Sequence, residues 1–373
     1  MTDNSHGSMT TALQKVDELE SVRGLAALLV LLYHLPKWNP ILDIGVINNG
    51  YLMVELFFVL SGFVICRAYS ERIETKNDLY KFQLLRFWRL YPVHIIFLFV
   101  FLAIEIARYI VSESVGITSP KDVPFERNNL YSFVKNIFLI QSVLPNQNFT
   151  FNGPAWSISV EFYTYFVFGC IVLFFKQKSR WLFMSFSFFS ILLLLLDKTY
   201  GFVLLLRCFA GFFSGCLVAL LIRKLKPNLP AGASLFSFAA IICFLHFKNV
   251  KYIDVLIFPL AASLIFTLSA SSRSTLGLLL RCKPLLWLGS ISYSLYMAHT
   301  AILLVCNSAI RFFYKAPVTT LSNGVITPQL SQMETFFAIV VVLAVTLIVS
   351  QLIFEYIEKP MREKSRSLYK PAL

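Results

Sequence analysis

Residues 334–357 read ETFFAIVVVLAVTLIVSQLIFEYI, with twenty uncharged positions between the two glutamates Glu334 and Glu355. An α-helix needs about 20 mainly apolar residues to cross a hydrocarbon core about 30 Å thick. This stretch therefore predicts a membrane-spanning helix. The run from Ile191 to Leu196 is equally unbroken, and no stretch shows the period-two alternation of a membrane β-barrel.

Nine further stretches have the same character, although the first is short and the fifth and seventh are marginal. The composition agrees, because 57% of the residues are hydrophobic and only 14% are charged, against about 25% charged in soluble domains. We therefore predict an all-α fold, a polytopic integral membrane bundle of about ten helices, and exclude a soluble or disordered protein. The ten segments are residues 22–35, 50–69, 93–111, 156–175, 180–196, 200–222, 232–247, 254–272, 286–306 and 334–357.

The distribution of positive charge predicts the orientation. If alternate connections share one side of the membrane, 22 of the 33 lysines and arginines lie on the side of both termini and 9 on the other. The positive-inside rule then places both termini in the cytoplasm, and the net charge of +13 does not require a nucleic-acid partner. We expect a cytoplasmic segment over residues 1–19, a transmembrane domain over 20–362 and a cytoplasmic tail over 363–373. The longest outer connection, about residues 112–155, is a candidate lid or re-entrant helix.

Ionisable groups at membrane depth are costly and usually face the bundle interior or an aqueous cavity. Arg23 enters from the cytoplasm, and His34 lies roughly 16 Å further out if the segment is helical. Glu55, Glu161 and His299 come from three other segments and fall in the same outer half. Each one alone is more typical of an interfacial or packed side chain than of a catalytic group. Together they predict a cavity suited to general acid–base chemistry.

Arg86 and Arg89 stand one helical turn apart just before the third segment, at the inner face. Two guanidinium groups on one helical face suit the binding of phosphate, and anchoring to anionic lipid headgroups is the alternative. The seven cysteines are scattered singly, without the spacing of metal ligands. We therefore predict buried thiols and no metal site.

Six motifs occur in order over residues 20–362. They are Arg23-x10-His34, Phe57-Phe58-x-x-Ser61-Gly62-Phe63, Arg86-x-x-Arg89-x-Tyr91-Pro92, Trp156-Ser157-Ile158-Ser159-Val160-Glu161, Ser292-Tyr293-x-x-Tyr296-x-x-His299 and Glu358-Lys359-Pro360. In this order they resemble the membrane-bound acyltransferase-3 family, the O-acetyltransferases that modify bacterial surface polysaccharides and some lipids or small molecules.

The resemblance implies that an acyl group, usually acetyl, passes from a cytoplasmic acyl-CoA to a hydroxyl presented on the outer side. In this scheme Arg86, Arg89 and Arg23 hold the CoA phosphates. His34 acts as general base on the acceptor hydroxyl, a task suited to a neutral imidazole near pH 7, or carries the acyl group transiently. The sequence leaves both routes open.

The resemblance also suggests roles for the remaining polar residues of the motifs. Glu161 or Glu55 orients His34 or binds sugar hydroxyls. The candidate donors to the thioester oxyanion are Ser292, Tyr293 and Tyr296, and Ser61 and His299 complete the set of candidate substrate-contacting residues.

Other functions fit part of the pattern. A transporter or flippase also has polar residues within its spans, but no inverted repeat with broken helices is visible. A non-catalytic scaffold leaves the spacing of Arg23 and His34 unexplained, and a longer acyl donor stays open. We expect acetyl-CoA as donor, a carbohydrate of the bacterial envelope as acceptor, and the inner membrane as location. A lipid-linked intermediate, a peptidoglycan sugar and a small glycosylated metabolite are alternative acceptors, and the oligomeric state is not readable.

Overall fold

The computed structural model of the protein describes residues 17–115, 123–145, 149–270, 274–320 and 326–368. Most of the predicted N-terminal segment, parts of the long outer connection, two residues of the segment 254–272 and the end of the predicted tail lie outside the described residues. The helices are α1 Asp17–His34, α2 Gly45–Asn48, α3 Met53–Tyr69, α4 Lys76–Val115, α5 Leu130–Ile137, α6 Trp156–Phe175, α7 Ser179–Leu195, α8 Val203–Leu225, α9 Ala233–Phe247, α10 Ile257–Ala270, α11 Thr275–Leu280, α12 Lys283–Ser290, α13 Ser292–Phe312, α14 Gln332–Ile353 and α15 Lys359–Leu368.

The structure confirms an all-α membrane bundle, and each of the ten predicted segments falls on helix. Strands β1 (Val318–Thr320) and β2 (Ile326–Pro328) form a short antiparallel pair. Among the described residues, seven helical stretches are long and apolar enough to cross a membrane. One of them, Gly153–Leu195, joins α6 and α7 through a 3₁₀ turn, while α9 is apolar but shorter. The number of ten spans and the cytoplasmic location of the termini stay predictions.

Ion pairs connect the chain segments at one end of the bundle, which we call the basic end. Glu18 at the start of α1 pairs with Arg281 between α11 and α12, at 2.7 Å. Glu74, before α4, pairs with Lys176, after α6, also at 2.7 Å. These are connections that the charge distribution assigns to one side of the membrane.

Different connections meet at the opposite end, which we call the histidine end because α1 finishes there at His34. The Tyr51 hydroxyl donates to Asp254 at 2.8 Å, so the connection before α3 contacts the one before α10. The Leu330 amide donates to the Trp38 carbonyl at 2.9 Å, which ties the connection before α14 to the one after α1. The bundle therefore has two distinct ends, which the long helices connect.

Small residues let the central helices approach closely. A Cβ atom added at Gly62 on α3 would lie 1.8 Å from the Phe212 carbonyl oxygen on α8. One added at Gly289 on α12 would lie 2.2 Å from the Glu20 carbonyl oxygen on α1. Small residues at such crossings are typical of membrane helices. The first crossing fixes the neighbouring Ser61, and the second fixes the turn of α1 that carries Arg23.

The described part of the long outer connection folds back onto α4. Glu105, to which the sequence assigned no role, accepts hydrogen bonds from the Phe125 amide at 2.8 Å and from the Asn128 side chain at 3.0 Å. The Asn136 carbonyl on α5 lies 2.9 Å from Nε2 of His94 on α4. The buried polar groups of α4 therefore anchor this connection. Helix α5 (Leu130–Ile137) lies within this connection, which the sequence predicted as a candidate lid or re-entrant helix.

Candidate active site

A cavity of about 80 Å³ lies between α1, α3, α4, α6 and α13. We call it the arginine cavity, because two of the predicted phosphate-binding arginines line it. Seven of the eleven distinct side chains predicted for the site lie on its wall, together with two polar side chains that were not predicted and several apolar ones. The polar lining residues are Arg23, Ser61, Arg89, Ser157, Glu161, Tyr165, Ser292, Tyr293 and Tyr296.

Helix periodicity explains the α6 wall of the cavity. Residues four apart share a helix face, and Ser157, Glu161 and Tyr165 follow that spacing. The Tyr165 hydroxyl donates to Glu161 at 2.7 Å and lies 2.8 Å from the Ser61 hydroxyl. Because a phenol has one proton, which the carboxylate accepts, the Ser61 hydroxyl must donate to Tyr165. A directed hydrogen-bond chain therefore runs from α3 to the Glu161 carboxylate.

The two arginines of the Arg86-x-x-Arg89 motif are separated in the structure. Arg89 lines the cavity with Arg23, and Arg23 lies 3.4 Å from the Glu20 carboxylate. Arg86 is buried and donates to the Tyr69 hydroxyl at 3.3 Å. Its guanidinium carbon lies 5.4 Å from the centroid of that ring. Arg86 is not among the residues lining the cavity, so Arg23 and Arg89 form its cationic pair.

The tyrosine hydroxyls predicted as oxyanion donors bond to the protein itself. Tyr293 donates to the Leu90 carbonyl. Tyr296 donates to the Pro154 carbonyl at 2.9 Å and lies 2.9 Å from the Ser157 hydroxyl. Each tyrosine would have to release its backbone partner before donating to a substrate. Ser292 lines the same cavity without such a bond among the described residues.

His34 and His299 meet at the histidine end, with ring centroids 4.9 Å apart at 61°. Nδ1 of His34 lies 2.9 Å from the Val30 carbonyl oxygen. Because a carbonyl oxygen only accepts, Nδ1 carries the proton, and the lone pair of a neutral His34 is on Nε2. His299 is fully buried, and neither of its ring nitrogens has a hydrogen-bond partner among the described residues.

The histidine pair is not among the residues that line the arginine cavity. Tyr296 links the two, because it lines the cavity and its ring centroid lies 5.8 Å from that of His299. Glu55 lies elsewhere, in an ion pair with Arg207. The expectation that both histidines and both carboxylates share one cavity is therefore not met. Glu161 lies in the arginine cavity, and Glu55 lines a second cavity.

The family profile described as "Acyltransferase domain" matches residues 16–355. The chain belongs to the acyltransferase-3 family. The resemblance of the six motifs is thereby confirmed, and membership implies an acyl donor. No solved structure matches this acyltransferase chain.

Three relatives show how this chain compares with known proteins. Peptidoglycan O-acetyltransferase OatA of Listeria monocytogenes is 25% identical over 93% of the chain and 56% of its own length. Acyltransferase MdmB of Streptomyces mycarofaciens is 30% identical over 43% of the chain and 40% of its own length. O-acetyltransferase OatA of Staphylococcus aureus is 23% identical over 93% of the chain and 57% of its own length. The chain thus spans about half the length of these relatives.

The sequence left several polar partners of the acyltransferase site unassigned. Tyr165 could have been predicted from the sequence, because it lies four residues after Glu161 on the same predicted helix. Arg207 lies inside the predicted segment 200–222, and its pairing with Glu55 crosses 152 positions. Glu358, in the last motif, accepts a hydrogen bond from Ser294 at 2.8 Å and so secures α13. Among the described residues, no group of three histidine, cysteine or acidic side chains is placed to bind one metal ion.

Proposed function

We propose that this acyltransferase moves an acetyl group from a cytoplasmic acyl-CoA to a hydroxyl of a cell-envelope carbohydrate at the bacterial inner membrane. Family membership supports the acyl transfer, and the names of the OatA relatives support acetylation of a cell-wall polymer. The observation that carries the proposal is the contact between His34 and His299. It joins two motifs 265 positions apart, next to a cavity that contains Arg23 and Arg89.

The arginine cavity is the part of the site suited to the donor. Two guanidinium groups attract the CoA phosphates and can bind them through paired hydrogen bonds. A cavity of about 80 Å³ accommodates a few water molecules or a two-carbon acyl group, but not the whole pantetheine arm. We therefore infer that the helices around it separate when the donor enters from the basic end.

His34 is the group suited to moving the proton. Its Nε2 lone pair takes the proton of the acceptor hydroxyl while the hydroxyl oxygen bonds to the thioester carbon. The carbon–sulfur bond then breaks, and the proton passes from the imidazolium to the departing thiolate. In the alternative route Nε2 itself bonds to the acyl carbon and the thiolate leaves. The acceptor oxygen then displaces the imidazole, and the proton of the acceptor hydroxyl passes to the thiolate.

The residues around His34 hold its ring and the neighbouring charged groups in position. His299 packs against its ring, and Tyr296 connects His299 with the wall of the arginine cavity. Glu161 is held by the hydrogen-bond chain from Ser61 through Tyr165, which fixes a negative charge beside the cationic pair. The hydroxyl of Ser292, which bonds to no other group in the described part of the chain, is the candidate donor to the developing oxyanion.

A complementation experiment tests the function. The gene is deleted from its host, and ester-linked acetate is measured in the isolated envelope polysaccharides. The wild-type gene and the variant His246→Ala, which alters an exposed histidine on α9, are expected to restore the acetate. The variant His34→Ala is expected to incorporate acetate at a rate at least about 100-fold lower, because a general base typically contributes a factor of this size. Equal acetate in strains with and without the gene would contradict the proposal.

A further inference from the structure

The second cavity, at the histidine end, has a volume of about 460 Å³ and takes no part in the steps above. We call it the acidic cavity, since Glu55, Asp197 and Asp254 line it. Its volume is in the range of small-ligand pockets, which are mostly apolar with a few placed polar groups. The other lining residues are Leu194, Leu195, Thr199, Val203, Arg207, Val250, Tyr252, Val255 and Phe258.

Glu55, in the wall of the acidic cavity, has a buried carboxylate oxygen without a hydrogen-bond partner among the described residues. The residue is only 2% exposed. Its Oε1 accepts from Arg207, whose guanidinium lies over the Trp156 ring at 4.9 Å. Its Oε2 has no hydrogen-bond partner among the described residues. Buried polar atoms are almost always partnered, so a ligand that donates a hydrogen bond fits this position.

Hydrogen bonds and ring contacts connect the rim of the acidic cavity with His34. Asp254 accepts a hydrogen bond from Tyr51 at 2.8 Å and pairs with Lys248 at 2.8 Å. The Tyr51 ring lies 5.5 Å from that of Tyr33, which lies 4.9 Å from the His34 ring. A ligand in this cavity would therefore approach the histidine from the end opposite to the donor.

The charges of the cavity select among ligands. Arg207 neutralises Glu55, and Lys248 neutralises Asp254. Asp197 is exposed and has no ion-pair partner among the described residues. Its neighbour Lys198 is exposed and is not among the lining residues. One negative charge is left at the cavity mouth, and it repels anionic ligands at a strength that salt reduces.

We propose that the acidic cavity binds the acceptor, and that the acceptor is an uncharged saccharide rather than one bearing carboxylates. A sugar hydroxyl donates to Oε2 of Glu55, the exposed ring of Tyr252 packs against an apolar sugar face, and Asp197 disfavours acidic sugars. This inference rests on the proposed function, because it names the substrate class of the same reaction.

Binding of two matched oligosaccharides to the purified full-length chain tests the inference. The probes are cellotetraose and β-1,4-linked tetraglucuronate, which differ by a carboxylate on each sugar, and the measurement is saturation-transfer NMR in detergent. We expect the wild-type chain to bind cellotetraose at least about five-fold more tightly. The variant Asp197→Lys is expected to remove that preference at low salt. Asp43→Lys, at an exposed residue of the same end outside the cavity, is expected to keep it.

A second variant tests the role of Glu55. Glu55→Gln is expected to weaken cellotetraose binding about ten-fold. This substitution also removes the ion pair of the buried Arg207, which can alter the packing. The exposed Asp197 variant is therefore the test that does not depend on buried packing. Equal binding of both probes, no binding of either, or the same shift from Asp43→Lys would overturn the inference. Hydrolysis of acetyl-CoA is measured on the same samples. If the chain hydrolyses acetyl-CoA but shows no saccharide selectivity, this inference alone is contradicted. If it does not turn over acetyl-CoA, the proposed function is contradicted, and this inference with it.

Discussion

Arg86 and Arg89 lie one helical turn apart on α4, yet their guanidinium groups have different surroundings. Arg89 lines the arginine cavity with Arg23, whereas Arg86 is buried against Tyr69 and Phe82. The spacing predicted a joint phosphate site. Under the proposed function we therefore expect Arg89 to bind the donor, and we expect Arg86 to stabilise the packing of α4 on α3.

The two arginines should therefore respond differently to substitution. We expect Arg89→Ala to raise the KM for acetyl-CoA about 10- to 100-fold, since hydrogen bonds to a charged group contribute about 1.5–3 kcal/mol. We expect Arg86→Ala to lower the melting temperature in detergent, since a desolvated cation–π contact is worth about 2 kcal/mol. Arg180→Ala, at an exposed arginine, is the control. A raised KM for acetyl-CoA in Arg86→Ala, with an unchanged melting temperature, would contradict the assignment of different roles to the two arginines.

The hydrogen-bond chain from Ser61 through Tyr165 to Glu161 is expected to act as a unit. Tyr165→Phe removes both of its bonds, and we expect acetyl transfer to fall about ten-fold, in line with about 1–1.5 kcal/mol for such bonds. Ser61→Ala should have a smaller effect that disappears in the Tyr165→Phe background, because contacting residues couple. Additive effects in the double variant, measured as kcat/KM, would show that the chain has no joint role.

Several side chains that the sequence singles out lie close together in the structure, although the sequence did not predict their contacts. Arg23, Ser61, Glu161 and the tyrosines of the Ser-Tyr-x-x-Tyr motif all line the arginine cavity. Hydropathy and topology assign each residue a depth but not a neighbouring helix. For this reason the pairing of Glu55 with Arg207, and the backbone partners of the tyrosines, became visible only in the structure.

The crossing of α3 and α8 depends on glycine at both helices. A Cβ at Gly62 would lie 1.8 Å from the Phe212 carbonyl oxygen, and one at Gly215 would lie 2.0 Å from the Val59 carbonyl oxygen. Both clashes are with backbone, so neighbouring side chains cannot relieve them by changing rotamer. The crossing places Ser61 on the cavity wall.

Enlarging either glycine should separate the two helices. We expect Gly62→Leu and Gly215→Leu each to destabilise the protein by about 3 kcal/mol, at the upper end of overpacking effects, and to lower its melting temperature in detergent. Gly232→Leu is the matched control, because an added Cβ there meets no atom within 4 Å. Unchanged melting in Gly62→Leu would contradict the close crossing.

At the level of elements, each of the ten segments predicted from hydropathy falls on helix, but their bounds differ from those of the helices. The third segment was expected to begin after Pro92, yet α4 starts at Lys76 and continues through that proline. Proline removes one backbone hydrogen bond and usually ends or kinks a helix, and here tertiary packing overrides the preference. The π-helical turn Phe354–Glu358 has no hydropathy signal at all, although it places Glu358 against α13.

The whole molecule has a basic end, from which the donor is proposed to enter the arginine cavity, and a histidine end with the acidic cavity. We expect the basic end to face the cytoplasm. Cys282, an exposed residue between α11 and α12, is expected to react with a membrane-impermeant maleimide in inverted vesicles and not in spheroplasts, in a Cys243→Ala background. Asp43→Cys in a Cys282→Ser background should show the opposite pattern. The reverse labelling of both sites would contradict the orientation.

The central claim is that His34 moves an acyl group from a donor entering at one end to an acceptor at the other. The most direct measurement uses the purified chain in vesicles of one orientation, with radiolabelled acetyl-CoA on the side of the basic end and oligosaccharide on the opposite side. We predict label on the oligosaccharide with the wild-type chain and His246→Ala, and none above background with His34→Ala. Wild-type rates of labelling by His34→Ala, or transfer only when donor and acceptor share a side, would contradict the account.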